Sequence, residues 1–183
     1  MRDLQKALLV LQQGGIIAYP TEAVFGLGCD PSQPAAVASV IHLKRRDPSK
    51  GLILIAHTFE CLQSYIDISM VPPDHLKQIL ASWPGPYTWI FPTKASVSPL
   101  LTGRFNSLAV RVTAHPIARG LCEGFGGPIV STSANPEGLP PAKTRTEVEA
   151  YFGHQCEVVD DQIGDLAQPT AIRDALTLAY VRR

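Results

Sequence analysis

Leu4, Ala7, Leu8 and Leu11 recur at helical spacing, with Asp3, Gln5, Lys6 and Gln12 on the remaining positions and Gly14-Gly15 as a stop. The pattern then changes to an unbroken apolar run, GIIAYP at 15–20, which predicts a short buried strand. Residues 20–34 (PTEAVFGLGCDPSQP) read as one long loop, punctuated by Pro, Gly, Asp and Ser. Residues 35–46 predict a second helix with Val37, Val40, Ile41 and Lys44 along one side, and GLILIA at 51–56 a central strand. A helix opened by prolines follows at 72–83, then strands at 87–92 and 107–112, a helix at 116–125 and a strand at 128–131. Residues 144–153 predict a helix capped by Thr144 or Thr146, and 156–160, 170–175 and 176–182 are late strands.

This alternation predicts an α/β (α+β) fold, one mixed sheet flanked by helices. At 183 residues and 45% hydrophobic content the chain can bury one substantial core, so a single domain over 1–183 is expected. No repeat, low-complexity tract or linker divides it. Lys plus Arg balances Asp plus Glu at 16 each, which removes the global basic excess of a bulk nucleic-acid binder and makes any positive field local. Cys29, Cys61, Cys122 and Cys156 form no CxxC pair and no zinc spacing, as expected of buried thiols in a reducing compartment. The N-terminal segment lacks a leader's cleavage site and no apolar run reaches the 18 to 20 or so residues of a membrane span. A cytoplasmic protein without membrane contact is the expectation.

Candidate chemistry sits where polar residues follow apolar strands. In PIVSTSANPEGLPP, Ser131, Ser133 and Asn135 are two apart and would face one side of an extended segment. They form either a ligand cradle or a turn that satisfies its own backbone. Lys44, Arg45, Arg46 and Lys50 form either a polyanion site or a solvated helix end. Arg111 interrupts the apolar run LAVRV, and Glu22 in PTEA is either a general base or a loop residue. Ser133 has no GxSxG elbow around it, which argues against a nucleophile, and there is no GxxxxGK[ST] or complete dinucleotide fingerprint. Trp83, Tyr87 and Trp89 fit core and turn positions better than a base-stacking platform.

YPTEAVFGLGCD, LKRRDPSKGLILIA, WPGPYTWIFP, LTGRFNSLAVRVTAHP and PIVSTSANPEGLPP together resemble, in order and spacing, the YrdC/TsaC family of threonylcarbamoyl-AMP synthases in its short single-domain bacterial form. The resemblance implies a twisted mixed sheet around a deep, positively charged cavity. It implies an enzyme that joins L-threonine, bicarbonate or carbon dioxide, and ATP into L-threonylcarbamoyladenylate and pyrophosphate. That product serves threonylcarbamoyladenosine formation at tRNA position 37 by the bacterial transferase machinery. By the same resemblance Thr21, Arg111, Ser131 and Thr170 hold threonine, with Arg111 on its carboxylate. Lys44, Arg46 and Lys50 grip the ATP phosphates as the catalytic cations, and Ser107, Ser133, Asn135 and Arg182 add nucleotide contacts. Mg²⁺ enters with ATP, no protein metal site is implied, and no prosthetic group is required. Two departures stand out: Asp47 replaces the proline of the usual KxRP, and PTAIRD replaces PSTVVD. The alternative from another class is a non-catalytic RNA-binding or ribosome-maturation module using a basic concave face.

Overall fold

The computed structural model describes residues 2–182; Met1 and Arg183, the end residues of the expected 1–183 domain, lie outside. Helix α1 (Arg2–Gln12) leads into a hairpin of β1 (Ile17–Pro20) and β2 (Phe25–Gly28), and α2 (Pro34–Leu43) carries the chain to β3 (Ile53–Ala56). There follow α3 (Pro73–Ala81), β4 (Tyr87–Pro92), the one-turn α4 (Pro99–Thr102), β5 (Ser107–Val112), α5 (Pro116–Phe125) and β6 (Ile129–Ser133). The chain then forms α6 (Arg145–Phe152), β7 (Glu157–Val158), β8 (Ala171–Asp174) and β9 (Tyr180–Arg182). All of these strands join one mixed sheet in the order β7-β1-β2-β6-β3-β5-β4-β8-β9. Pairs β1/β7, β3/β5 and β4/β8 are parallel and the others antiparallel.

The expected loop over 20–34 is corrected: its middle is β2, paired with β1 and β6. Glycine has poor strand propensity, so FGLG carries no strand signal. What it provides is room. A Cβ at Gly28 would lie 2.6 Å from the Val130 carbonyl oxygen and 2.8 Å from the Tyr19 ring. The ring crosses β2 there, and its hydroxyl donates to the Val130 carbonyl at 3.2 Å.

Helix α2 stops at Leu43 instead of running to residue 46. Arg45 adopts φ +51° and the Arg46 amide reaches back to the Ile41 carbonyl at 3.0 Å, a Schellman-type ending that turns the basic run off the helix axis. Thr144, not Thr146, caps α6, through a reciprocal capping box with Glu147. The last two strands are shorter than expected, because Asp174 Oδ1 accepts from the Leu176 and Thr177 amides and bends 175–179 into a turn.

The sheet has two unlike faces. Leu27, Leu54, Trp89, Val110 and Val130 form the larger core with Val37, Val40 and Ile41 of α2, Ile79 of α3 and Phe152 of α6. On the other face Ile17, Tyr19, Ile55 and Ile129 are covered by Ala7 and Leu11 of α1 and by Leu121 and Cys122 of α5. These helices pack closely, since a Cβ at Gly124 would stand 2.7 Å from Leu8. The α1–α5 pair covers only part of its face. One step along the ladder, Ile53 pairs with Ser131 and Ala109, and beyond them Ser133 pairs with Gly26. There the face changes from apolar to polar. Among the described residues no helix is long and apolar enough to cross a membrane.

Candidate active site

The polar part of that face is the floor of a cavity of about 240 Å³. Its lining includes Thr21 from the β1–β2 turn, Ser131, Thr132 and Ser133 from the end of β6, and Thr170 just before β8. Three guanidinium groups, from Arg46, Arg111 and Arg182, line it as well, and among the described residues no carboxylate does. Burial and the nearby Arg111 charge push Arg182 below its ordinary value, and burial does the same to Arg46. Each therefore gains from an anion.

Arg111 is the best anchored of the three. It occupies a strand position level with Ile55, where an apolar residue would extend the core, and its side chain is 5% exposed. Nη1 donates to Thr88 Oγ1 at 3.0 Å and Thr170 Oγ1 at 3.1 Å. Nη2 stands 3.2 Å from Glu22 Oε2. Glu22 is itself held by Thr113, whose hydroxyl donates to Oε1 at 2.7 Å. Burial works to raise the Glu22 carboxyl, but the Arg111 charge and the Thr113 hydrogen bond outweigh it and hold the group below its ordinary value. Arg111 Nε and Glu22 Oε2 have no hydrogen-bond partner among the described residues. The arginine is thus not fully satisfied by the residues around it.

Arg46 rests on its own loop, donating from Nε and Nη2 to the Gly51 carbonyl at 3.1 and 2.8 Å. Arg182 donates to the Thr170 carbonyl at 2.9 Å, tying β9 to the cavity wall. Thr21 donates to the Val24 carbonyl at 2.7 Å, which closes the β1–β2 turn and leaves its oxygen able to accept.

The structure therefore brings Thr21, Arg46, Arg111, Ser131, Ser133, Thr170 and Arg182 to one cavity, and places Lys44, Lys50, Ser107 and Asn135 outside its lining. Lys44 is 2% exposed. Its ammonium donates to the Ser133 carbonyl and, at 2.7 Å, to the Asn135 carbonyl, bracing the β6 loop from behind. Burial, assisted by the Arg46 charge, pushes this ammonium down to about 7 against the opposing pull of Glu137. Asn135 is past the end of β6, and its side-chain amide donates to the Pro136 and Leu139 carbonyls at 3.0 and 2.7 Å. Turn and cradle thus divide within one segment: Ser131 and Ser133 face the cavity, and Asn135 shapes the turn. Lys50 is half exposed and paired with Glu137. Ser107 begins β5, opposite Pro92.

Trp89 is buried and donates to Ser82 Oγ at 3.0 Å, and Trp83 stacks on Phe91, so both are structural aromatics. Sequence reasoning missed Thr88, Thr113 and Glu137. A signal existed for Thr88, a polar residue in YTWIFP on the strand beside Arg111. None existed for Glu137, which is an ordinary loop residue until the fold brings Lys50 to it. No group of three or more His, Cys, Asp or Glu suited to a metal ion occurs among the described residues.

Comparison with known proteins identifies the family. The Sua5/YciO/YrdC family profile, described as "Telomere recombination", matches residues 9–183. The threonylcarbamoyl-AMP synthase of Photobacterium profundum is 49% identical over 184 residues, covering 100% of both chains. The enzyme of the same name from an Enterobacter species is 53% identical, covering 96% of this chain and 92% of its own. Among solved structures, P. abyssi Sua5 complexed with L-threonine superposes with a TM-score of 0.86 at 29% identity. That match covers 93% of this chain and 50% of Sua5, so the chain spans about half of that protein.

Proposed function

The chain belongs to the Sua5/YciO/YrdC family, and from that premise we propose that it is a threonylcarbamoyl-AMP synthase. It joins L-threonine, bicarbonate and ATP into L-threonylcarbamoyladenylate, releasing pyrophosphate. The observation that carries this reading is likeness at about half identity, over essentially the whole chain, to enzymes of that name. The site is consistent with it: guanidinium groups and hydroxyls line the cavity, with no carboxylate among the described residues, which suits two anionic substrates.

In this reading Arg111 receives the threonine carboxylate, with Thr21, Ser131 and Thr170 arranged around the amino acid. Arg46 and Arg182 face the nucleotide phosphates, Ser133 lies beside them, and Lys50 reaches in from the rim. Lys44 and Asn135 act indirectly, by fixing the loop that presents Ser133. The nucleotide enters as its Mg²⁺ complex, so the ion belongs to the substrate.

The threonine amine first takes up carbon from bicarbonate to give a carbamate, with loss of water. A carbamate oxygen then attacks the α-phosphorus of ATP, the bond to the β-phosphate breaks, and pyrophosphate departs with the electron pair. No enzyme nucleophile is needed, and the protein contributes alignment and preorganised positive charge. The product is a labile mixed anhydride, consumed by the transferase machinery that modifies tRNA. The test is pyrophosphate release by the purified chain with ATP, Mg²⁺, threonine and bicarbonate, with mass detection of the adenylate. Release dependent on both threonine and bicarbonate is expected; salt-sensitive RNA binding without any release would favour a binding module instead.

A further inference from the structure

Two rim segments of the cavity, residues 44–50 and 133–137, are joined at three levels. Deepest, the Lys44 ammonium holds the Ser133 and Asn135 carbonyls. Above it, the Glu137 amide donates to the Lys44 carbonyl at 2.8 Å. At the surface, the Glu137 carboxylate takes the Asp47 amide on Oε2 at 2.9 Å and the Lys50 ammonium on Oε1. A proline at position 47 has no N–H and could not make that bond. Asp47 also accepts from the Ser49 amide at 2.9 Å and starts the short turn Pro48–Lys50.

The first two joints are fixed by burial or by backbone. The third is a charge pair between half-exposed side chains, and it engages a lysine to which the proposed function gives a phosphate. From this we infer that Glu137 is a positioning residue for the nucleotide: it holds Lys50 at the rim of the empty cavity and is displaced from it by the incoming phosphates. The inference rests on the synthase reading. Lysine suits the exchange because its charge is compact and its stem flexible. Glu137 is an internal anion that phosphate must outcompete. It stays in place during the exchange, because its own amide and the Asp47 amide still hold it. Lys44 and Arg46 feel the Glu137 charge without pairing with it: the first braces a loop and the second rests on a neutral carbonyl.

Glu137→Gln keeps an oxygen for the Asp47 amide and removes the charge that pairs with Lys50. It should therefore tighten nucleotide binding by about two- to five-fold, the scale of a partly exposed ion pair. A purely structural role would weaken binding instead. Calorimetric titration of the full chain with a non-hydrolysable ATP analogue and Mg²⁺ reads this directly. Steady-state kinetics should show a lower KM for ATP with an unmoved KM for threonine. The gain should vanish when Glu137→Gln is made in a Lys50→Ala background. Unchanged or weaker binding by Glu137→Gln, or a gain that survives Lys50→Ala, would overturn the inference. A wild-type chain that binds no nucleotide would overturn the synthase reading itself.

Discussion

Glu22 and Arg111 form a buried ion pair at 3.2 Å, each side chain less than a tenth exposed, with Arg111 on the cavity floor and Glu22 behind it. Two charges are removed from water here, and Thr113 on the carboxylate and Thr88 and Thr170 on the guanidinium supply the hydrogen bonds that make this tolerable. Glu22 was open between a general base and a loop residue in the sequence. Its place behind Arg111 makes it the counter-charge that keeps that guanidinium fixed.

Removing one member of such a pair leaves the other buried and unpaired. Glu22→Gln is expected to cost about 3 kcal/mol of folding stability at pH 7, measured by urea denaturation. The pH dependence has a definite sign. The Glu22 carboxyl lies below its ordinary 4.5 in the folded protein, so its contribution is whole above that pH and is lost as pH falls through the lower folded value. The stability difference between wild type and Glu22→Gln should therefore narrow below about pH 4.5.

Arg111→Ala should raise the KM for threonine by about ten- to a hundred-fold, the range of one lost charged hydrogen bond, and leave the KM for ATP nearly unmoved. Arg111→Lys should recover little of this, because an ammonium cannot reproduce the guanidinium fork held between Glu22 and the two threonines. Equal loss for both substrates would show that Arg111 does not distinguish them.

Lys44 gives a different outcome from a residue that only touches phosphate. Lys44→Met removes the donor to two loop carbonyls and should destabilise the nucleotide-free protein by about 1–3 kcal/mol, the cost of a buried acceptor left unpaired. Unchanged denaturation without nucleotide, together with weakened ATP binding, would return Lys44 to the phosphate role implied by its motif.

Gly28→Ala tests the strand that the hydrophobic pattern hides. The added methyl would collide with the Val130 carbonyl and the Tyr19 ring. A loss of about 1–3 kcal/mol is expected, readable as a lowered urea midpoint, since overpacking of this kind forces neighbours to shift. A loop residue would tolerate the change.

These cases show what the linear pattern can and cannot carry. Strands β1, β3, β4, β5 and β6 and the long helices were legible because burial imposes its period on side chains. β2 was not, because its glycines are selected by the Tyr19 ring crossing them, and that is a contact between strands. Arg111 was visible as a charge inside an apolar run, but its partner Glu22 lies 89 positions away in sequence, and only sheet order brings the two together. Lys44 and Arg46 looked alike within one basic run. The Schellman ending of α2 separates them, sending Arg46 to the cavity and Lys44 beneath a loop.

The division of one sheet face between the α1–α5 pair and the cavity also limits how this protein can change. Ile55 belongs to the core and Arg111, its rung-mate, to the floor; Ile129 and Ser131 stand two residues apart on one strand. A substitution that reshapes the floor for a different amino acid must shift strands that also seat the core. Adaptation to a new substrate should therefore come more readily through the rim, where Glu137, Asp47 and Lys50 meet on half-exposed loops, than through the strands beneath it.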